Sequence, residues 1–327
     1  MASLPYPVLR LKGPSDVGSL LRAHSIDVLY WRCGRSLLLR TALAARQVHV
    51  PVIYAISGWS NVKPVWYRNV SRAPGLRSRL ASVFQPLKGM VKSRLNWEGL
   101  KLVQGVISNT QYILDALPYG GGLPRLRKTI YNIAPERDDV CEFVWPRPFV
   151  AWVANLQRIK NPDTMVEIAR RLPEIDFLMA GRIKESAFNY FADSARLPSN
   201  LHYLGPLQPS LASGMMAAAR CLVHTCSPEG FSGNLIQAWR QGCPTIVLHH
   251  DPDGIIRASG AGAHAGGLER CVELIAEVYS EDRLRSKWSE AAAQLVEDRF
   301  NAAKNVSSLV DFCFEVLASQ QEHLSAG

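Results

Sequence analysis

Residues 221–248, CLVHTCSPEGFSGNLIQAWRQGCPTIVL, constrain the fold of this chain more than any other stretch. A short apolar run with β-branched residues opens the segment, and a second apolar run closes it. Between them, a glycine-rich turn leads into residues whose apolar members, Leu235, Ile236 and Trp239, have helical spacing. The order of strand, turn, helix and strand predicts a βαβ unit of a parallel sheet.

The start of this helix has the features of an anion site. The first turn of a helix leaves backbone N–H groups without partners inside the helix, and the positive end of its dipole lies there. The residues at this turn are Gly230, Phe231, Ser232, Gly233 and Asn234. Glu229 precedes them and can accept hydrogen bonds from sugar hydroxyls. Gln237 follows Glu229 by eight residues, two helical turns on and close to the same face.

Length and charge predict two domains with different surfaces. The chain has 327 residues and is 47% hydrophobic, enough for two ordinary cores. Residues 1–148 carry 21 basic and 8 acidic side chains, whereas the remainder carries 16 and 20. We expect domains at 1–134 and 149–300, joined by a proline-rich, acidic linker at 135–148, and a final segment at 301–327.

Short strand-like runs alternate with longer helical ones, which predicts parallel sheets in both domains. The runs of the first domain are 26–32, 51–57, 105–110 and 128–133. Those of the second lie near 149–155, 175–180, 201–204, 221–225 and 244–248.

Several classes of site and location lack support in the sequence. The seven cysteines show neither C-x-x-C pairs nor zinc spacing, which favours buried thiols in a reducing cytoplasm. Signal-peptide features and apolar runs of about 18 residues are missing, so we expect neither export nor a membrane span. No Walker or dinucleotide loop occurs. His249, His250, Asp251 and Asp253 alternate in direction at a strand end, so we expect no metal and no other cofactor.

The segment around Glu229 resembles the retaining glycosyltransferases of family 4, of the glycosyl transferases group 1. Their usual form is S-x-x-E-G-F followed by E-A-x-x-x-G-x-P. The matching residues here are Ser227, Glu229, Gly230, Phe231, Ala238, Gly242 and Pro244. The resemblance implies that Glu229 contacts the donor sugar and that position 237 holds the ribose hydroxyls. Gln237 stands where the family has its second Glu, so it cannot supply a charge-assisted bond.

The residues 149–183 resemble the family's strand, G-R-L loop with its lysine, helix, and next strand ending in glycine. Lys160 matches the lysine that binds the diphosphate. Asn155 stands at the position of the family's arginine, and Arg158 is placed to replace the lost charge. Gly205 lies in a stretch similar to the family's glycine turn near the base.

The first domain departs from the family pattern. Its strand-like runs match the later strands of the family's first domain, but about two preceding βα units are not recognisable. Ser57 and Gly58 stand at the family's His-Gly pair, so Ser57 replaces the catalytically important histidine. Residues 299–317 resemble the closing helix that crosses back to the first domain. The resemblance implies an α/β chain of two facing Rossmann-like domains, the GT-B fold, with an incomplete first domain.

The resemblance also implies a reaction. A nucleotide-diphosphate sugar would donate its sugar, with retention and without a metal, to a lipid-linked or other saccharide acceptor in surface polysaccharide biosynthesis. Two alternatives stay open: a non-catalytic subunit that acts with a partner protein, and a nucleotide-sugar epimerase of the same fold.

The segment 59–100 is basic and carries aromatic residues throughout. Its basic residues, against Glu98 alone, are Lys63, Arg68, Arg72, Arg77, Arg79, Lys88, Lys92 and Arg94. We expect this segment to bind the anionic inner face of the cell membrane. We expect no nucleic acid partner, because no known nucleic-acid-binding module accompanies it. An ordinary solvated pair of helices is the alternative.

Overall fold

The computed structural model divides the chain into two α/β units. Residues 1–130 and 307–327 belong to the first unit, and residues 131–306 to the second. The structure describes residues 11, 13, 16–32, 37–58, 61–62, 91–118, 120–134, 140–227 and 230–325.

The first unit is built on a parallel sheet. Its elements are α1 (Asp16–Ala23), β1 (Leu29–Arg32), α2 (Leu38–Arg46), β2 (Val52–Ile56), α3 (residues 91–100), β3 (Gly105–Ser108), α4 (Gln111–Asp115) and β4 (Leu126–Thr129). The four described strands pair in the order β1-β2-β3-β4. β2 is buried along its whole length because it has a neighbour on each side and is covered on both faces.

The second unit contains a larger parallel sheet. Its elements are β5 (Phe149–Val153), α5 (Asp163–Arg171), β6 (Asp176–Ala180), β7 (Leu201–Tyr203), α6 (Pro209–Ala218), β8 (Leu222–His224), α7 (Gly233–Arg240), β9 (Thr245–Val247), α8 (Ile255–Ser259), β10 (Gly262–His264), α9 (Leu268–Ser280) and α10 (Asp282–Arg299). A last helix, α11 (Ala302–Ser325), begins in this unit and continues into the first.

The six strands of the second sheet lie in the order β10-β9-β8-β5-β6-β7, all parallel. From β5 the chain builds outwards through β6 and β7, then returns to the other side of β5 with β8. This is the strand order of a Rossmann fold. In such sheets, ligands bind outside the carboxyl ends of the strands where the order reverses, here β5 and β8.

Successive side chains of β5 pack on opposite faces of this sheet. Val150 and Trp152 pack in a cluster with α5 and α9, whereas Phe149 and Ala151 pack in one with α6, α7 and α10. In the first unit, Phe312 of α11 covers the face of the sheet that α1 and α2 leave open. Each sheet is therefore covered on both faces, as parallel sheets require.

The predicted parallel sheets are present in both units. The predicted run 128–133 begins too late, since β4 begins at Leu126. The residues of β4 are only partly buried, so no continuous apolar run marks where the strand begins. β10 was missed because its three residues, Gly-Ala-His, form no apolar run. The described part of the predicted linker, residues 140–148, lies within the second unit, and its Phe143 and Trp145 pack against that unit's core.

Candidate functional site

Two loops leave the second sheet at its point of reversal. The loop after β5 forms a short 3-10 turn at Arg158–Lys160 and ends at Asn161, whose φ is 46°. Asparagine tolerates this left-handed backbone better than most residues, and it directs the chain into α5. The loop after β8 runs through Thr225 and Ser227 towards the start of α7.

Four hydrogen bonds join these two loops. The Thr225 hydroxyl donates to the Lys160 carbonyl at 2.6 Å. Asn161 Nδ2 donates to the Thr225 carbonyl and to Ser227 Oγ, each at 3.1 Å. The Ser227 N–H donates to the Ile159 carbonyl at 2.9 Å. We call this set of contacts the loop junction; it fixes the backbone on both sides of Lys160.

The loop junction is anchored in the core through Trp152. The indole Nε1 of Trp152 donates to Thr225 Oγ1 at 3.0 Å, and both side chains are buried. Trp152 belongs to β5 itself, so the sheet holds the loop that carries Lys160. Thr225, Asn161 and Trp152 were not among the predicted site residues.

The charge of Lys160 affects the pKa of a buried histidine in the sheet. His224 ends β8 and is 5% exposed, and burial lowers its pKa to about 3, with the charges of Lys160 and His250 adding to the effect. His224 is therefore neutral at physiological pH, whereas the half-buried Lys160 supplies a positive charge beside the loop junction. A cation placed at this edge is suited to a phosphate ligand.

The start of α7 lies beside the same edge of the sheet. Asn234 Nδ2 donates to the carbonyl of Val153, the last residue of β5. The Ser232 side chain makes no capping bond within the described residues, and the Leu235 N–H donates to the Ser232 carbonyl at 3.2 Å. The positive end of the helix dipole at this turn favours an anion. Gly233 is exposed at this turn, where a side chain would add bulk.

Two predicted residues at this turn have structural contacts. The ring of Phe231 packs in the core against Phe300, Tyr131 and Trp239, at centroid distances of 5.1, 6.0 and 6.1 Å. Its side chain therefore holds the turn in place from below. The Gly230 carbonyl lies 3.3 Å from His250 Nε2.

Gln237 points towards α6. Its Nε2 donates to Ser213 Oγ at 2.9 Å, and the side chain is half-buried. The residue predicted to hold the ribose is thus hydrogen-bonded to a neighbouring helix.

The remaining predicted residues of this unit lie in the loops that follow β5 and β7. Arg158 is exposed, and its backbone N–H donates to Glu185 Oε1 at 3.1 Å. Asn155 is also exposed and accepts from the Arg182 N–H at 3.3 Å. Gly205, with a φ of 71°, accepts from the Gly181 N–H at 2.9 Å.

Close backbone packing explains the glycine after β6. Gly181 has a φ of 153°, and a Cβ added there would lie 1.7 Å from the Ala154 carbonyl oxygen. Only glycine fits this approach, which sets the spacing between the loops after β5 and β6.

The other sequence predictions concern separate places. Glu229 lies outside the described residues. Ser57 and Gly58 follow the carboxyl end of β2 in the first unit. Asp251 accepts from the Ile256 N–H at 2.9 Å and Asp253 from the Tyr131 hydroxyl at 3.0 Å. Within the described ranges, no three His, Cys, Asp or Glu side chains are grouped to hold a metal ion.

The model of the family described as Glycosyl transferases group 1 matches residues 142–295. The sequence of these residues is similar to that family. The matched range includes both loops of the junction, the glycine turn and α7. The prediction that the chain is of the glycosyltransferase class is confirmed. No curated protein matches the sequence.

Solved structures share the fold over most of the chain. HepE from Anabaena, in complex with UDP, is 17% identical with a TM-score of 0.63; the match covers 95% of this chain and 82% of HepE. A glycosyltransferase from Rickettsia africae is 14% identical with a TM-score of 0.71, and the match covers 97% and 84%.

A third similar structure is a variant of TarM from S. aureus, in complex with fondaparinux, alpha-GlcNAc-glycerol and UDP. It is 13% identical with a TM-score of 0.66, and the match covers 91% of this chain and 58% of TarM. Identities at this level show the fold alone. With the strand order of the second sheet, they confirm the predicted α/β, GT-B fold class.

Proposed function

We propose that this chain transfers a sugar, with retention of configuration, from a nucleotide-diphosphate sugar to a saccharide acceptor. The observation that carries the proposal is the loop junction. It holds Lys160 beside the segment that leads to Glu229 and α7, at the strand reversal where Rossmann-like sheets bind ligands. Lys160 and the start of α7 therefore lie at one edge of one domain.

Each part has a distinct role in the proposed reaction. As the bond between sugar and diphosphate breaks, negative charge grows on the leaving phosphate. Lys160, Arg158 and the N–H groups at the start of α7 would stabilise that charge as it develops in the transition state. Glu229 would orient the donor sugar, and the diphosphate would be held by side chains and backbone without a metal.

The acceptor is proposed to be a lipid-linked saccharide in surface polysaccharide biosynthesis. It would be reached by the first unit, with its basic segment 59–100 docked on the inner face of the cell membrane. Because HepE and TarM were each solved with UDP, a uridine diphosphate sugar is the first donor to test.

Calorimetric titration of the full chain with UDP, GDP and ADP tests the donor site. We expect one of the three to bind and to raise the melting temperature. Lys160→Ala should weaken that binding by about 1.5–3 kcal/mol, the value for a hydrogen bond to a charged group. Lys287→Ala, at an exposed position of α10, is the matched control and should leave binding unchanged. Absence of binding at millimolar nucleotide would refute the donor site.

Transfer itself is tested with the matching nucleotide sugar and lipid-linked acceptors. Glu229→Ala should reduce sugar transfer while the bare nucleotide still binds. Equal loss of both would show that Glu229 does not act on the sugar. Release of an epimerised sugar nucleotide without acceptor would instead favour the epimerase.

A non-catalytic subunit is the second candidate, and one contact favours it. The amide of Gln237 is already bonded to Ser213, so the helix face predicted to hold the ribose is engaged with α6. A subunit of this kind would bind a nucleotide weakly and transfer no sugar by itself. Activity that appears only when a partner protein is added would support it.

A further inference from the structure

A groove of about 470 Å³ opens at the edge of the second sheet opposite the candidate donor site. Phe149, at the amino end of β5, and Arg220, just before β8, both line it. The donor site lies at the carboxyl ends of the same two strands. A ligand in this groove would therefore be separated from the donor site by the length of the strands.

Three arginines line the groove, and they differ in how their charge is balanced. Arg147 is paired with the buried Asp176, and Arg220 Nη1 lies 2.6 Å from Asp282 Oδ1. Arg285 makes one long hydrogen bond, from Nη2 to the Ala219 carbonyl at 3.4 Å. In the part of the chain that the structure describes, no carboxylate pairs with Arg285, so it supplies the unbalanced positive charge of the groove.

Arg220 and Arg285 both line the groove. Their Nε atoms are buried and have no hydrogen-bond partner among the described residues, so contacts with a ligand fall to the terminal Nη atoms. An arginine offers its N–H groups in a fixed, planar fork. Two such forks lining one groove are suited to an oxygen-rich anion.

The groove is also lined by aromatic side chains that are held in place. Trp145 Nε1 donates to Asp176 Oδ2 at 2.9 Å, and its ring lies 5.0 Å from that of His202. Phe143 and Phe149 pack with ring centroids 5.7 Å apart. A flat apolar group can lie along this wall without much reordering of side chains.

We propose that this groove binds a small phosphate-bearing ligand that also has a flat apolar group. Arg285, assisted by Arg220, contacts the phosphate, and Trp145 packs against the apolar part. The donor site plays no part in this binding, so the proposal stands apart from the function given above.

Phenyl phosphate is the probe, titrated into the full chain and followed by ³¹P NMR. Arg285→Gln keeps a polar side chain but removes the guanidinium and its charge, and we expect it to weaken binding by about tenfold or more, the loss of one charge-assisted hydrogen bond. Arg283→Gln, exposed on the same helix, carries the same change of charge and should leave binding intact. Lys160→Ala should also leave it intact.

Asp282→Asn gives a second, independent variant. Asp282 is exposed, so the variant is expected to fold, and it removes the negative charge that balances Arg220. Binding of phenyl phosphate should become tighter. The proposal is overturned if phenyl phosphate does not bind, if Lys160→Ala abolishes binding while Arg285→Gln does not, or if Asp282→Asn fails to tighten it. Trp145→Leu should weaken phenyl phosphate more than inorganic phosphate; an equal effect would remove the apolar part of the proposal.

Discussion

The hydroxyl of Thr225 donates a 2.6 Å hydrogen bond to the backbone carbonyl of Lys160, across 65 residues of sequence. The same hydroxyl accepts from the buried Trp152 indole at 3.0 Å. One side chain therefore links the core of the second sheet to the backbone of the proposed diphosphate-binding lysine. Thr225 is a positioning residue in the proposed site, because its contact with Lys160 is through the main chain.

Replacing Thr225 by Val removes both hydrogen bonds while keeping the shape of the side chain. It leaves the Trp152 Nε1 donor buried without an acceptor, so we expect the free energy of unfolding to fall by about 1–3 kcal/mol. Nucleotide binding should weaken as well, because the Lys160 loop loses its anchor. Urea denaturation and calorimetric titration measure the two effects.

Thr225→Ser is the matched control, because it keeps the hydroxyl. We expect it to restore nucleotide affinity and most of the lost stability. If Thr225→Val lowers stability but leaves the nucleotide dissociation constant unchanged, Thr225 supports the fold without positioning Lys160.

Much of the fold could be predicted because its signals are local. The run 51–57 is apolar throughout, and β2 is buried along its length. β10 could not be predicted in this way, since it is held as an edge strand by its register with β9 rather than by its own residues. The pairing of β5 with β8 also depends on strand order, which no short pattern contains.

The site could be predicted only in part, for a related reason. Lys160 and the glycine turn lie in short patterns, but the loop junction joins residues that are more than 60 positions apart. Asn161 gave one local signal, because it follows Lys160 at the end of a turn and tolerates a positive φ. The contact of Gln237 with Ser213 has no local signal in the sequence, since it depends on how α6 and α7 pack.

Gln237→Glu tests the predicted ribose contact. If position 237 faces the ribose when nucleotide is bound, a carboxylate should tighten nucleotide binding or leave it unchanged, since it can accept charge-assisted bonds from the hydroxyls. Ser213→Ala, which frees Gln237 from α6, is the companion variant and should not weaken binding. A large loss of affinity in Gln237→Glu, measured by calorimetry, would show that this helix face is not aligned with the ribose.

His224 should make the folded chain sensitive to acid. Its pKa in the folded chain, lowered to about 3 mainly by burial, lies below the ordinary 6.5, so the unfolded chain takes up the proton first. Its contribution to stability is complete above pH 6.5 and is lost as the pH falls towards 3, at up to about 1.4 kcal/mol per pH unit.

Urea denaturation at several pH values from 7 to 4 measures this effect in the difference between the wild-type chain and His224→Gln. The variant should lose stability less steeply with acid, because the other titrating groups are shared. Parallel pH profiles for the two chains would contradict the assignment to His224.

The last prediction concerns the basic and aromatic segment 59–100, which we propose binds the inner face of the cell membrane. Residues 59–60 and 63–90 lie outside the described residues, so the described evidence comes from α3. There, Val91 and Leu95 are 51% and 37% exposed, one helical turn apart and beside the exposed Lys92 and Arg94. Apolar and basic residues on one helix surface are typical of interfacial helices. Within the described residues, no helix is long and apolar enough to cross a membrane.

Each Lys or Arg near an anionic surface contributes about 1 kcal/mol, and salt screens that attraction. Sedimentation with vesicles should therefore show binding that needs anionic lipid and weakens at high ionic strength. Changing Arg72, Arg77, Arg79 and Lys88 to Ser should reduce it strongly, and Val91→Ser with Leu95→Ser should reduce it further without changing charge. Binding that ignores both lipid charge and these substitutions would contradict membrane docking. Tight, salt-sensitive binding to nucleic acid but not to vesicles would assign the basic surface to that partner instead, because phosphate contacts alone would then explain its charge.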